Sequence, residues 1–254
     1  MKYALIKRAW SIVKKFFKRY YGWSENDVYI SFGENCLPDN LLDRYGLKTF
    51  TTPYSHGRSN IEYINAIEQD DFAHFLERDY LKYCECNGKD VVRNFYYMKL
   101  NNIYEDSVMN GFEFTHHDVI SSERCRAQFR RRIKRIKEIK NKNLYIFYHN
   151  RLCEKTDEKQ LLNQLYDLYT RYSEQNNNVF VILFVQKIVE NKEERKVVYE
   201  TKEGIHIFRF YTLEVWAGSN DDVFWARTDD DLVCKMMSFI QEKKLGTYSE
   251  SIIL

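Results

Sequence analysis

Two kinds of punctuation are scarce in this chain. Only two prolines and nine glycines occur in 254 residues. That excludes a Pro-rich linker, and with no internal repeat or low-complexity run the chain reads as one domain with an appendage. It also excludes a phosphate-cradling loop, since Ser31-Phe-Gly33 lacks the further glycines such a loop needs. No apolar run approaches the ~20 residues of a spanning helix, and no uninterrupted apolar core marks a signal peptide. The net charge is only +2, so nucleic acid is not indicated. The six cysteines, at 36, 84, 86, 125, 153 and 234, have no metal-ligand spacing. Cys84-Glu-Cys86 is too tight for a zinc knuckle and has no second pair, so neither a metal nor a disulfide framework is expected. Reduced thiols suit a cytoplasmic protein. No Gly-x-Ser-x-Gly elbow, zincin helix or glycosidase carboxylate pair is present.

What the chain does have is aromatic: 20 Tyr and 17 Phe, enough for a large core and an aromatic cleft. Residues 1–20 carry Lys2, Lys7, Arg8, Lys14, Lys15, Lys18 and Arg19 without one acid, while Leu5, Ile6, Trp10, Val13, Phe16 and Phe17 recur at helical spacing. A basic amphipathic helix over 1–22 is expected, ahead of a domain over 23–254. Its apolar face could meet an anionic membrane surface at the inner face of the plasma membrane, the protein's own core, or a second copy in a homodimer. A second basic helix is expected after Ser121 or Ser122, with ten Lys or Arg between 121 and 142 and a buried stripe of Cys125, Phe129, Ile133 and Ile136. Its charges fit either a solvated face or an anionic partner such as phosphate, a nucleotide diphosphate carrier or acidic lipid.

Strand-like segments alternate with helical ones. Val28–Phe32, Leu144–Tyr148, Val179–Val185 and Ile205–Phe210 read as strands, the third as the central one, and a charged hairpin tip at 190–194 adds antiparallel strands at an edge. Short strands are also expected at Thr49–Thr52 and Phe112–His116, and helices at 61–67, from Asp70 through Leu76, at 157–172, and at 232–242 with Thr228 or Asp229 as cap. The tail from Gly246 is expected to be loose. The fold class is α/β: a single domain with a mostly parallel sheet flanked by helices.

One stretch carries chemistry. The strand ending at Phe32 is broken by Gly33, and a helix follows from Leu37 with Pro38 in its first turn. Cys36 thus sits where a strand hands over to a helix N-terminus, a place whose free N–H groups favour thiolate and can bind an oxyanion. A cysteine there also serves as a small buried hydrophobe.

Ser31-Phe-Gly-Glu-Asn-Cys36, Leu41-Leu-Asp-Arg-Tyr-Gly-Leu47, Thr52-Pro-Tyr54, Asp71-Phe-Ala-His-Phe75 and Phe114-Thr-His-His-Asp118 follow one another, then the basic helix with Arg130-Arg-Arg. In that order, over roughly residues 27–152, the chain resembles the bacterial family of papain-like cysteine peptidases (domain of unknown function 1796). It is similar, more remotely, to Cys-His polysaccharide-biosynthesis acyltransferases. Where the family has Pro-Phe-Asp-Trp this chain has Pro53-Tyr-Ser-His56. The resemblance implies Cys36 as nucleophile and His117, followed by Asp118, as general base. Asp118 and Asn150 are rival groups to orient the imidazole. Asn35, His56, Asn150 and Arg151 are candidate substrate contacts, Arg151 toward an anionic group. A hydrolase or acyltransferase that needs no resident cofactor is implied, acting on a carbohydrate or lipid-linked sugar in surface polysaccharide biosynthesis, with coenzyme A as a candidate acyl donor. The alternative is a non-catalytic glycan-assembly protein or a glycosyltransferase-like sugar-nucleotide binder, which needs no reactive cysteine.

Overall fold

The computed structural model describes residues 24–86, 88–98, 102–218, 226–248 and 250–254; the expected helix at 1–22 lies outside them. Its centre is a sheet of six strands in the order β1-β5-β6-β8-β7-β9. Strands β1 (Asp27–Gly33), β5 (Asn143–Asn150), β6 (Asn178–Ile188) and β8 (Ile205–Thr212) run parallel. β7 (Lys196–Lys202) and β9 (Ile252–Ile253) run antiparallel at one end. β6 is interior and its residues Val181–Val185 are all buried, as a doubly covered parallel strand requires.

Alternation along the strands divides the core in two. Val28, Ile30, Phe32, Leu144, Ile146, Tyr148, Val181 and Leu183 face one layer of helices. Those are α2 (Ile61–Gln69), α3 (Glu123–Lys137) and α4 (Glu158–Ser173). Tyr29, Tyr145, Phe147, Ile182, Phe184 and Phe208 face the other way, onto α1 (Leu37–Arg44) and α5 (Asp230–Gln241). A second, antiparallel sheet, β2 (Leu81–Cys86), β3 (Lys89–Asn94) and β4 (Phe112–Phe114), lies between α2 and α3 in sequence and adds Leu81, Val92, Phe112 and Phe114 to the first core. Fully burying each such side chain contributes about 1.5–3 kcal/mol.

The helices start where their caps put them. Asn60, Ser122 and Asp157 each accept a backbone N–H of the first turn of α2, α3 and α4. Four expectations need correction. Residues 49–52 form no strand, yet they lie along the free edge of β1: Thr49 N donates to Tyr29 O, Tyr29 N donates to Thr49 Oγ1, and Thr52 Oγ1 donates to Ser31 O. Side-chain hydroxyls thus replace part of a ladder and close an edge that would otherwise stay open. No helix follows Asp70: Asp71 and Phe72 have φ of 56° and 64°, left-handed values that a helix cannot contain. Phe75 there serves an aromatic cluster with Phe112, Phe114 and Phe129 instead. Asp229 precedes α5 without capping it, because its carboxylate is taken by Arg195 and the Trp216 indole. The tail after Gly246 ends in β9, paired with β7 at Val198 and Tyr199.

Candidate active site

Cys36 stands at the C-terminal edge of the sheet, as the hand-over from β1 to α1 requires. Gly33 makes the turn possible. Its φ is +139°, and a Cβ there would lie 3.0 Å from both the backbone N and O of His149 on β5. The next two residues anchor the turn in opposite ways. Glu34 Oε2 accepts the backbone N–H of Arg151 at 2.7 Å, while Asn35 Oδ1 accepts the N–H of Leu37 and its Nδ2 meets His149 Nδ1 at 3.2 Å. Asn35, not Cys36, therefore satisfies the helix start, and the thiol has no hydrogen-bond partner among the described residues.

The thiol is protonated at rest, against the expectation from its helix terminus. Burial, with Asp39 and Glu113 adding negative charge, outweighs Arg58 and Lys48 and pushes the Cys36 thiol up to about 11. A helix N-terminus supplies roughly 0.3–1 kcal/mol, less than one pKa unit, which desolvation of a buried thiolate exceeds. Any reaction at Cys36 therefore needs a base.

Three residues after Cys36, on the first turn of α1, Asp39 gathers such a base. Its carboxylate is buried, accepts Ser31 Oγ at 3.0 Å and Lys48 Nζ at 2.5 Å, and lies 3.5 Å from His56 Nε2. Ser31 Oγ is in turn 2.9 Å from Ser55 Oγ, beside His56. Burial lowers the His56 pKa, with Asp39 opposing and Lys48 and Arg132 reinforcing. His56 is thus a neutral imidazole at pH 7, and the Asp39 carboxylate facing its Nε2 favours the proton there and the lone pair on Nδ1. The backbone next to it is pinned by Gly57, whose added Cβ would come within 2.7 Å of Glu113 O, and by Arg58, which exchanges backbone hydrogen bonds with Glu113 on β4.

His117 is nearby, its ring centroid 6.4 Å from that of His56. It comes from the turn after β4, which ends at Phe114 rather than His116. Its Nε2 takes a hydrogen bond from Arg132 Nη2 at 3.2 Å, and its Nδ1 is buried without a partner among the described residues. Burial, then Arg132 and the neighbouring His56 and His116, bring its pKa down to about 4. With the lone pair facing a guanidinium, this imidazole is a poor proton acceptor as it stands. Asp118 does not orient it. That carboxylate accepts from the Tyr83 hydroxyl and from Ile120 and Ser121, and no hydrogen bond among the described residues joins it to His117.

Asn150 and Arg151 are not with these groups. Arg151 reaches Glu105 and the Trp216 carbonyl, and Asn150 Nδ2 donates to Arg151 O. They close the ends of β1 and β5 around Glu34, whose carboxyl is raised to about 8 by burial. His149, on β5, is buried with its pKa brought down to about 3. The expected constellation is thus divided: Asp39 links Cys36 to His56 and His56 adjoins His117, while Asn150 and Arg151 gather around Glu34, with Asn35 bridging through His149. Asp39, Lys48, Arg58 and Arg132 complete the first group. The sequence hid Asp39, because an acid in a first helical turn is expected for the helix's own sake.

A groove of about 500 Å³ lined by Phe72, Leu76, Arg130, Ile133, Lys134 and Lys137 opens between the 71–76 turns and α3, and does not include Cys36 or either imidazole. No group of three or more His, Cys, Asp or Glu that could hold a metal occurs among the described residues, nor does any helix long and apolar enough to cross a membrane.

No curated protein and no solved structure matches the chain. A family model does, over residues 27–189, beginning at the first residue of β1 and ending just past β6. It thereby takes in Cys36, His56 and His117 together, and leaves β7, β8, α5 and β9 outside. On that match, which covers well over half of its length, the chain belongs to the family described as "Putative papain-like cysteine peptidase", a family of Cys-His hydrolase type.

Proposed function

We propose that this protein is a cysteine acyl-transfer enzyme in which Cys36 is the nucleophile and His56, held by Asp39, is the base. The observation that carries the reading is the Asp39–His56 contact at 3.5 Å, made from the same helical turn that begins at Cys36. The Cys36 proton passes to His56 Nδ1 as the sulfur bonds to the acyl carbon. The leaving group takes that proton as the carbon–leaving-group bond breaks. Water or an acceptor hydroxyl then attacks the thioester, gives its proton to His56, and releases the thiolate, which is reprotonated. Neutral His56 and a neutral resting thiol suit this sequence, since the thiolate is made only when the carbonyl is in place. The N–H groups of Asn35 and Cys36 are the donors for the oxyanion, since that of Glu34 goes to His149 O and that of Leu37 to Asn35 Oδ1.

The finer setting follows the remoter likeness to polysaccharide-biosynthesis enzymes. There the acyl group comes from a thioester such as coenzyme A carries and goes to a hydroxyl of a lipid-linked sugar, with residues 1–20 against an anionic membrane. The aromatic richness and the unpartnered thiol favour a second reading, a binder of glycan or sugar nucleotide that never acylates.

The deciding experiment is acyl capture. The protein is incubated at pH 7.5 with a small activated thioester, and the acylated residue is located by mass spectrometry. Acylation of Cys36 ahead of the other five cysteines, slowed at least ~100-fold by His56→Ala and little by His117→Gln, is expected. No acyl-Cys36, or capture spread evenly over the cysteines, sinks the reading and leaves the binder. Alkylation without substrate is the weaker assay here, because the resting thiol is protonated.

A further inference from the structure

The cations around the thiol are not equivalent. Lys48 has Asp39, and Arg58 and Arg93 share Glu113, at 3.7 and 2.6 Å. Arg132, turned inward from α3 beside the same imidazoles, makes no ion pair among the described residues. Its guanidinium carbon stands 4.8 Å from the centre of the Phe129 ring, Nη2 is spent on His117, and Nη1 is buried with no partner among the described residues. On this helix the other arginines are accounted for where they are buried: Arg126 donates to Val119 O and Leu76 O.

A half-buried guanidinium whose inner nitrogen is desolvated and unfilled is a costly arrangement unless something arrives to fill it. Its fork geometry selects a planar or tetrahedral oxyanion. Burial lowers the Arg132 pKa, Arg135 and Arg131 reinforce this, and only Asp39 and Cys125 oppose it, so the local balance calls for negative charge. His117, held neutral by burial and by that same guanidinium, is the second group that an anion would satisfy, because it could then take up a proton.

We propose that Arg132, with His117 at its side, is the receptor for an oxyanion carried by the substrate, a carboxylate on the acyl group or a phosphate of its donor. The proposal deepens the acyl-transfer reading, since it sets the anionic class of substrate at the same site, but its test does not need the reaction. Any anion bound there sits on the α3 side of the imidazole pair and fixes the substrate between Arg132 and Cys36. The other charged or titratable groups facing His117 are His56 from the loop and its own neighbour His116.

The test uses the full chain carrying Cys36→Ser, so that it succeeds or fails whether or not Cys36 is a nucleophile. The His117 ring resonances, assigned with His117→Gln, are followed by NMR as a function of pH at constant ionic strength. Chloride is replaced stepwise by inorganic phosphate or, in a second arm, by acetate. The expected result is a saturable response to at least one anion, with the His117 pKa moving up from about 4 by a unit or more. A phosphate response assigns the site to the donor and an acetate response to the acyl group. Arg132→Gln should abolish the response. Arg132→Lys, which keeps the charge and loses the fork, should weaken the apparent affinity at least ~10-fold and serves if the Gln variant does not fold. No saturable response to either anion, or the same affinity in the variants, overturns the proposal.

Discussion

The two ends of the main sheet treat their polar groups differently. Around β8, β7 and α5 each buried charge has found company. Arg209 bridges Glu158 and Glu200, Arg195 bridges Asp229 and Asp231, the Trp216 indole donates to Asp229, and His206 meets the Tyr199 hydroxyl. None of the buried side-chain atoms without a partner among the described residues lies on β6, β7, β8, β9 or α5. At the C-terminal ends of β1 and β5 they accumulate: Glu34 Oε1, Tyr148 OH, His149 Nε2, Asn150 Oδ1 and Arg151 Nε, with His117 Nδ1 and Arg132 Nη1 beside His56. Folded proteins pair nearly all such atoms, and each exception costs about 1–3 kcal/mol. The difference teaches that one end satisfies its polar groups by folding, whereas the described residues leave those of the other open.

The sharpest way to break that contrast is at the satisfied end. Trp216, fully buried, should cost about 3–5 kcal/mol as Trp216→Ala in urea unfolding, with acyl capture by the folded fraction unchanged. A loss under 1 kcal/mol contradicts the claim that this end carries the stability. Second comes acid. His117, His149 and His206 are held neutral, with pKa values down at about 4, 3 and 4. The unfolded chain takes up protons near pH 6.5 that the folded chain refuses until those lower values. Their stabilisation is therefore full above about 6.5 and drains away as pH falls toward 4. Thermal unfolding from pH 7.5 to 4 should show this decline, and a flat profile would falsify the burial of these imidazoles. Third, Gly33→Ala forces a Cβ onto the His149 backbone at φ +139° and should cost about 1–3 kcal/mol while disabling capture at Cys36. The smallest effect belongs to the open end. Glu34→Gln keeps the shape, and the wild-type carboxyl is protonated up to about pH 8. The stability it contributes is whole below about pH 4.5 and lost as pH rises toward 8, so the variant should lie within about 1 kcal/mol at pH 5 and gain on the wild type by pH 8. A variant that loses ground with rising pH would show that Glu34 is ionised in the fold.

Much of the architecture was legible because it is local. Gly33, Pro38 and the apolar triad Leu37, Leu41 and Leu42 are enough to write strand, turn and helix around Cys36, and the unbroken Val181–Val185 run announces an interior strand. Phe72, Phe75 and Leu76 misled because aromatic packing against β4 and α3 borrows the spacing of a helix while Asp71 and Phe72 take left-handed backbone. In the site, Cys36 was legible from its turn. His56 was read as a substrate contact, Arg132 only as one of the basic run after Ser122 that suits a solvated face or an anionic partner, and Asp39 and Lys48 not at all, since their pairing is tertiary. The stretch His117-Asp118 looks like an imidazole and its orienting acid. In space the carboxylate caps the turn at 120–121 instead, where backbone N–H groups were waiting for it.

The stretch that carries His56 hangs between two supports. At one end Thr52 is tied by its hydroxyl to Ser31 on β1, and at the other Arg58 is stitched by two backbone hydrogen bonds to Glu113 on β4. A footbridge moored on both banks can bow but cannot swing away. His56 is therefore a gauge of the spacing between the large sheet and the small one. Whatever changes the spacing of the sheets therefore changes the slack of the span that sets the imidazole 3.5 Å from Asp39.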